Sequence, residues 1–159
     1  MDVELQPRSV LACELVAEVA RSFGEVCLRV TGASMIPAVW PGDVVTVRRC
    51  DVAELQPGQI VLSRRGGRLV AHRITFIRGD LVTTRGDSLQ HDDPPIDESA
   101  VVGRVMSLVR NGRVIDPTQT FWLRIGSAIL RRSDFCRRMA LRIGRRIEWL
   151  VGGKMSWAR

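Results

Sequence analysis

Ser34 lies in Thr31-Gly32-Ala33-Ser34-Met35-Ile36-Pro37, directly after an alternating apolar run that ends at Val30 and just before Pro41-Gly42-Asp43. A turn of small residues after a strand exposes a hydroxyl and leaves nearby backbone N–H groups able to bind an oxyanion, the requirements of acyl transfer through a serine. Such a serine needs a base, and the chain offers two histidines and a single lysine, Lys154, far out in the tail. His72 sits in Leu69-Val70-Ala71-His72-Arg73-Ile74, a strand-like run, whereas His91 lies in the polar stretch Gln90-His91-Asp92-Asp93 and reads as a solvated loop residue. A third piece, Thr84-Arg85-Gly86-Asp87-Ser88-Leu89-Gln90-His91-Asp92-Asp93, carries three carboxylates. Acids in a turn are usually solvated or bonded to local N–H groups, but a buried one can hold an imidazole in the right tautomer. Each piece alone is more often ordinary structure; together they describe a serine, a base and an acid in chain order.

Three zones must position these groups. Ser9 is placed to cap a short helix whose apolar residues Leu11, Ala12, Leu15, Val16 and Val19 share a face and which stops at Gly24. From Glu25 to Ile115 the period becomes two, through Val26, Leu28 and Val30, then Val45 and Val47, then Ile60 and Leu62, and less regularly Val101, Val105 and Val109. Pro41-Gly42-Asp43, Pro57-Gly58, Gly66-Gly67, Gly79-Asp80 and Asn111-Gly112 punctuate the turns. The two Arg-Gly-Asp triplets, at 78–80 and 85–87, read as hairpin turns. This middle zone is expected to be an all-β barrel or sandwich. After Pro117 the period returns to helical: Trp122, Ile125, Ile129, Cys136, Met139, Ile143, Ile147 and Leu150 recur at intervals of three, four or seven, with arginines on the other faces. The expected organisation is a helical segment at 1–24, a β domain at 25–116 and a basic amphipathic helical tail at 117–159.

In this order the three pieces resemble the signal peptidase I family of serine peptidases. Gly32-Ala33-Ser34-Met35-Ile36-Pro37 with Gly42-Asp43 is similar to its nucleophile box, Val70-Ala71-His72-Arg73 to its base strand, and Arg85-Gly86-Asp87 with Asp92-Asp93 to its Gly-Asp box. The resemblance spans roughly residues 26–106. Members of the wider clan, LexA-like autoproteases included, carry a lysine base where this chain has His72, so the chain resembles the archaeal and endoplasmic-reticulum Ser-His subtype. The resemblance implies Ser34 as nucleophile, His72 as general base, Asp93 as orienting acid and Asp87 as support from the Gly-Asp turn. It implies an oxyanion and substrate-binding turn at Gly32, Ala33 and Met35, and a minimal coiled β-fold, with no cofactor and no metal. Many family members place a hydroxyl residue where this chain has Gly32. The oxyanion hole would then rest on backbone N–H groups such as that of Ser34, with help from Thr31, and the loss of one donor typically lowers the rate about 10²-fold to 10³-fold.

Composition sets the remaining bounds. At 159 residues, 45% apolar and 26% charged, the chain suits one globular core rather than two domains, a disordered segment or a low-complexity fibre. Four scattered cysteines without a CxxC pair do not suggest a disulfide scaffold or a zinc site. The first residues lack the cationic start of a secretory signal, and no window reaches the about 20 apolar residues that a spanning helix needs. Residues 1–117 carry 14 Lys+Arg against 15 Asp+Glu, whereas residues 118–159 carry 10 against 2. The tail is therefore expected to meet an anionic membrane surface, its apolar face in the headgroup region, or to pack that face on the β domain; no nucleic-acid partner is expected. These features point to a cytoplasmic protein, peripheral at the inner face of the membrane, and the resemblance implies that it cleaves a peptide or precursor after small residues. The alternatives are a non-catalytic membrane-surface peptide-binding module of the same fold and a LexA-like self-cleaving regulator.

Overall fold

A computed structural model of the chain describes residues 7–117. Helix α1 (Pro7–Phe23) is followed by β1 (Glu25–Arg29), β2 (Val44–Arg48), β3 (Ile60–Arg65), β4 (Arg68–Arg78), β5 (Leu81–Arg85), β6 (Ile96–Asp97), β7 (Val101–Arg110) and β8 (Arg113–Ile115). The strands form one antiparallel sheet in the order β1-β2-β7-β3-β4-β5-β6, with β8 added to β7. The mainly β fold agrees with the alternating pattern, but the terminal strands β1 and β6 do not pair with each other, so the sheet is continuous and unclosed rather than a barrel or a two-sheet sandwich.

Central strand β3 organises two cores. Ile60 and Leu62 face the larger one, with Val45, Val47, Val105 and Leu108, while Val61 faces a smaller one, with Val52, Leu55, Ile74 and Val82. A strand buried on both faces reads as a continuous apolar run, and Ile60-Val61-Leu62 is one. The irregular period over 101–109 has a physical cause in two bulges on β7. Leu62 and Ser63 pair with Gly103 and Val101, skipping Val102, and Thr46 and Val47 pair with Ser107 and Val105, skipping Met106. Each extra residue shifts the phase, so the buried set is Val102, Val105 and Leu108.

Helix α1 departs from its expected form in two ways. It starts at Pro7, which suits a first helical turn, so Ser9 lies inside the helix rather than capping it. The face laid on the larger core is Val16, Ala17 and Ala20, whose small alanines let the helix approach the sheet closely, Cys13 is buried with its thiol donating to Gly67 O at 3.2 Å, and Leu11 and Leu15 remain 67% and 62% exposed. Gly24, at φ +76°, ends the helix in the left-handed region that glycine adopts without strain. Three two-residue hairpins fall where the sequence places them, at Gly66-Gly67, Gly79-Asp80 and Asn111-Gly112. The second Arg-Gly-Asp triplet is not a hairpin: Arg85 ends β5 and the chain continues into a buried loop.

The basic tail expected at 117–159 lies, from residue 118 onward, outside the described residues. Among the described residues no helix is long and apolar enough to cross a membrane.

One close approach locks β7 against the end of β2. A Cβ built on Gly103 collides with the backbone carbonyl of Arg48, and backbone cannot move aside as a flexible side chain would. Gly103→Ala is expected to lower stability by about 1–3 kcal/mol, the usual range for forced overpacking, measured as a fall in urea midpoint at constant m-value.

Candidate active site

Strand β1 delivers the chain into a loop that is closed at its base by two backbone bonds, Val30 N–H to Asp43 O at 2.8 Å and Gly42 N–H to Val30 O at 2.8 Å. Inside the loop Met35, Ile36, Ala38 and Val39 are buried and anchor it to the core. Asp43, 3% exposed, accepts the Trp40 N–H at 2.7 Å and both Nε and an Nη of Arg110, at 2.9 and 2.7 Å. Arg110 also donates to Ala38 O at 3.0 Å and lies over the Trp40 ring. The Gly42-Asp43 half of the nucleophile box is thus the fastening of the loop.

Ser34 stands at the outer end of that loop, held from a second side by the segment after β5. The Ser88 N–H and Oγ donate to the Ser34 carbonyl at 3.0 and 2.9 Å. Gly86 permits the approach, since a Cβ there would stand 2.7 Å from the same carbonyl oxygen. His72 comes from β4, in register with Val61 of β3, and is 5% exposed.

These elements bring Ser34, His72 and Asp93 into one chain of hydrogen bonds. His72 Nε2 is 2.9 Å from Ser34 Oγ, and His72 Nδ1 is 2.6 Å from Asp93 Oδ2. A carboxylate accepts only, so Nδ1 carries the proton and Nε2 presents its lone pair to the Ser34 hydroxyl. Asp93 is itself fixed. The Thr84 hydroxyl donates to its Oδ2 at 2.7 Å, its own N–H donates to Thr84 O at 2.8 Å, and an Arg65 Nη lies 3.9 Å from that oxygen. The same nitrogen donates to Thr84 Oγ1 at 3.0 Å, and the other Nη to Pro94 O at 2.8 Å. Burial pushes the Asp93 carboxyl up, but the hydrogen bonds from His72 and Thr84 and the charges of His72 and Arg65 outweigh it. The carboxyl therefore lies below its ordinary value and is ionised at neutral pH.

The other residues singled out in the sequence fall as follows. Asp87 does not touch His72; its carboxylate takes Nε and an Nη of Arg73, both at 2.8 Å, while the other Nη of Arg73 donates to Gly58 O at 2.7 Å. This buried pair pins the start of the 86–93 loop to β4 and supports the site at one remove. Asp92 is exposed and pairs with Arg85, and His91 is exposed. Gly32 is exposed and Ala33 half-buried, but the Met35 side chain points into the larger core, so only its backbone is available to a substrate. A Cβ on Gly32 would meet nothing within 4 Å, so the turn has room for a side chain at this position. Among the described residues no group of three or more His, Cys, Asp or Glu side chains is placed to hold a metal ion. Arg65, Thr84, Gly86 and Ser88 were assigned no role from the sequence. Thr84 and Ser88 lie within the quoted acidic segment, and only its spacing from a buried carboxylate could have flagged Thr84.

Residues 8–106 match the family described as Peptidase S24-like, and the chain belongs to that family of serine peptidases. It is part of the superfamily that joins LexA-like and signal peptidase I-like enzymes, so the resemblance drawn from the three boxes holds at that level. No curated protein matches the chain.

Three outcomes follow from this geometry. Asp93→Asn keeps the shape but loses the charge that sets the His72 tautomer, and is expected to lower kcat by about 10⁴-fold, as in other serine-histidine sites. Because the folded Asp93 value is depressed, its contribution to stability is present above the ordinary carboxylate range and is lost as pH falls through the folded value. The acid limb of a urea-midpoint profile between about pH 5 and about pH 2 should therefore be shallower in Asp93→Asn than in the wild type. Gly86→Ala pushes on the Ser34 carbonyl and should lower kcat by about 10²-fold, the effect of a misplacement near 1 Å, while near-ultraviolet circular dichroism stays native.

Proposed function

We propose that the protein is a serine endopeptidase that cleaves a peptide or precursor, bound as an extended strand beside the Ser34 turn, after small residues. The observation that carries this reading is the unbroken chain Ser34 Oγ, His72 Nε2, His72 Nδ1, Asp93 Oδ2, at 2.9 and 2.6 Å. The Ser34 hydroxyl attacks the scissile carbonyl as its proton passes to His72 Nε2, and a C–O bond forms. The imidazolium is stabilised by ionised Asp93 and returns the proton to the departing amine as the C–N bond breaks. Water, deprotonated by the same nitrogen, then releases the acyl group and restores Ser34. The developing oxyanion would rest on backbone N–H groups of the turn, with no side-chain hydroxyl at Gly32 to assist. The preference for small flanking residues is supported by the similarity of the three boxes to signal peptidases.

Membership of the S24-like family favours a second reading, in which the scissile bond belongs to the chain itself. Self-cleavage would proceed at a rate independent of protein concentration, whereas turnover of a separate substrate would not.

Both are tested by incubating wild type, Ser34→Ala and His72→Ala with a panel of Ala-x-Ala peptides and precursors, and each alone over a dilution series. Wild type is expected to cleave and Ser34→Ala to be inert at unchanged thermal stability. A cleavage rate untouched by His72→Ala would remove the base assignment, and cleavage persisting in Ser34→Ala would remove the serine mechanism.

A further inference from the structure

The smaller core opens to the surface in a groove of about 510 Å³. Val52, Leu55, Phe76 and Ile77 form its apolar wall, and Phe76 is 57% exposed although it lies on a central strand beside a buried cluster. Asp51, Asp80 and Glu98 rim it, and among the described residues no lysine or arginine lines it. Among the described residues none of these three carboxylates is in an ion pair.

We propose that this groove is the seat of the chain's own basic segment within residues 118–159. Charge complementarity selects the occupant. The described residues carry 14 Lys+Arg against 13 Asp+Glu, so a second copy of the domain offers no excess of cations, whereas residues 118–159 carry 10 against 2. In that segment arginines flank apolar residues that recur at helical spacing, beginning with Phe121, Trp122 and Ile125, which suits an apolar wall under an acidic rim. An anionic bilayer would be repelled by the same three carboxylates. Reach is sufficient. The described chain ends just after Ile115, which pairs with Leu108 on β7, and the groove's Glu98 precedes the other end of that strand. The interval from Leu108 to Val101 is about 23 Å of strand, which about sixteen helical residues span. Tethering adds an effective concentration in the millimolar range that a free partner rarely matches.

The test uses the full-length protein with Phe76 replaced by p-benzoylphenylalanine, an exposed site that tolerates the change. After irradiation at low protein concentration, peptide mapping is expected to find the probe joined to residues 118–159 in the monomer band, with or without phosphatidylcholine/phosphatidylglycerol vesicles. Adding Asp80→Lys and Glu98→Lys should reduce that yield about threefold to tenfold, as the loss of two surface ion pairs implies. Cross-links to a second copy, cross-links to lipid, no cross-link at all, or a yield indifferent to the two lysines would each overturn the proposal. None of these readouts depends on whether Ser34 is a nucleophile.

Discussion

The carbonyl of Ser34 is where the two halves of the site are joined. Ser34 belongs to a loop fastened to β2 and β7, whereas Asp93 belongs to a loop that leaves β5. The direct tie between them at that point is the pair of hydrogen bonds from Ser88 to the Ser34 carbonyl, made possible by the missing Cβ of Gly86. Each such bond contributes only about 1 kcal/mol net, but the carbonyl is held from two donors, so the position of the hydroxyl is set by geometry rather than by strength. If that joint slips, the His72 ring can follow either the serine or the aspartate but not both.

Buried charge supplies the second constraint. Asp43, Asp87 and Asp93 are all withdrawn from water around the site, and each has a cationic or hydrogen-bonding partner of its own: Arg110, Arg73, and His72 with Thr84 and Arg65. A buried ion pair adds little net stability over an apolar pair, whereas removing one partner costs about 3–5 kcal/mol because the other charge is stranded. The three pairs are therefore better understood as devices of position. Each fixes one segment, the nucleophile loop, the start of the Gly-Asp loop and its end, in the single arrangement that satisfies its carboxylate.

What the sequence disclosed follows the range of the interactions. Alternation along Val26 to Val30 and the glycine pairs at hairpins are local, and strands and turns could be read from them. The residues Ser34 and His72 stood out because so few groups could serve as base. Asp93 and Asp87 came only through likeness to a family, since nothing local distinguishes one acid of the segment from another; the partner of each is 21 or 14 residues away in sequence. Three features escaped for the same reason. The bulges at Val102 and Met106 depend on β2 and β3, the buried face of α1 was decided by small residues rather than by its leucines, and Arg65 looked like one more surface arginine until β3 placed it behind Thr84.

With His72 as the proposed base, the need for this apparatus follows. A lysine base needs only to be neutral, which burial can accomplish, and its single nitrogen has no tautomer to set. An imidazole has two nitrogens, and it is useful here only when the far one holds the proton. That requirement calls for an acceptor behind the ring, the acceptor must stay charged while partly buried, and a charged carboxylate in that position must itself be held. Asp93, Thr84 and Arg65 answer these three demands in turn: Asp93 Oδ2 lies 2.6 Å from His72 Nδ1, 2.7 Å from the Thr84 hydroxyl and 3.9 Å from an Arg65 Nη. His72 is thus one end of a coupled set, and exchanging it alone for lysine would leave Asp93 facing an ammonium that its own charge keeps protonated.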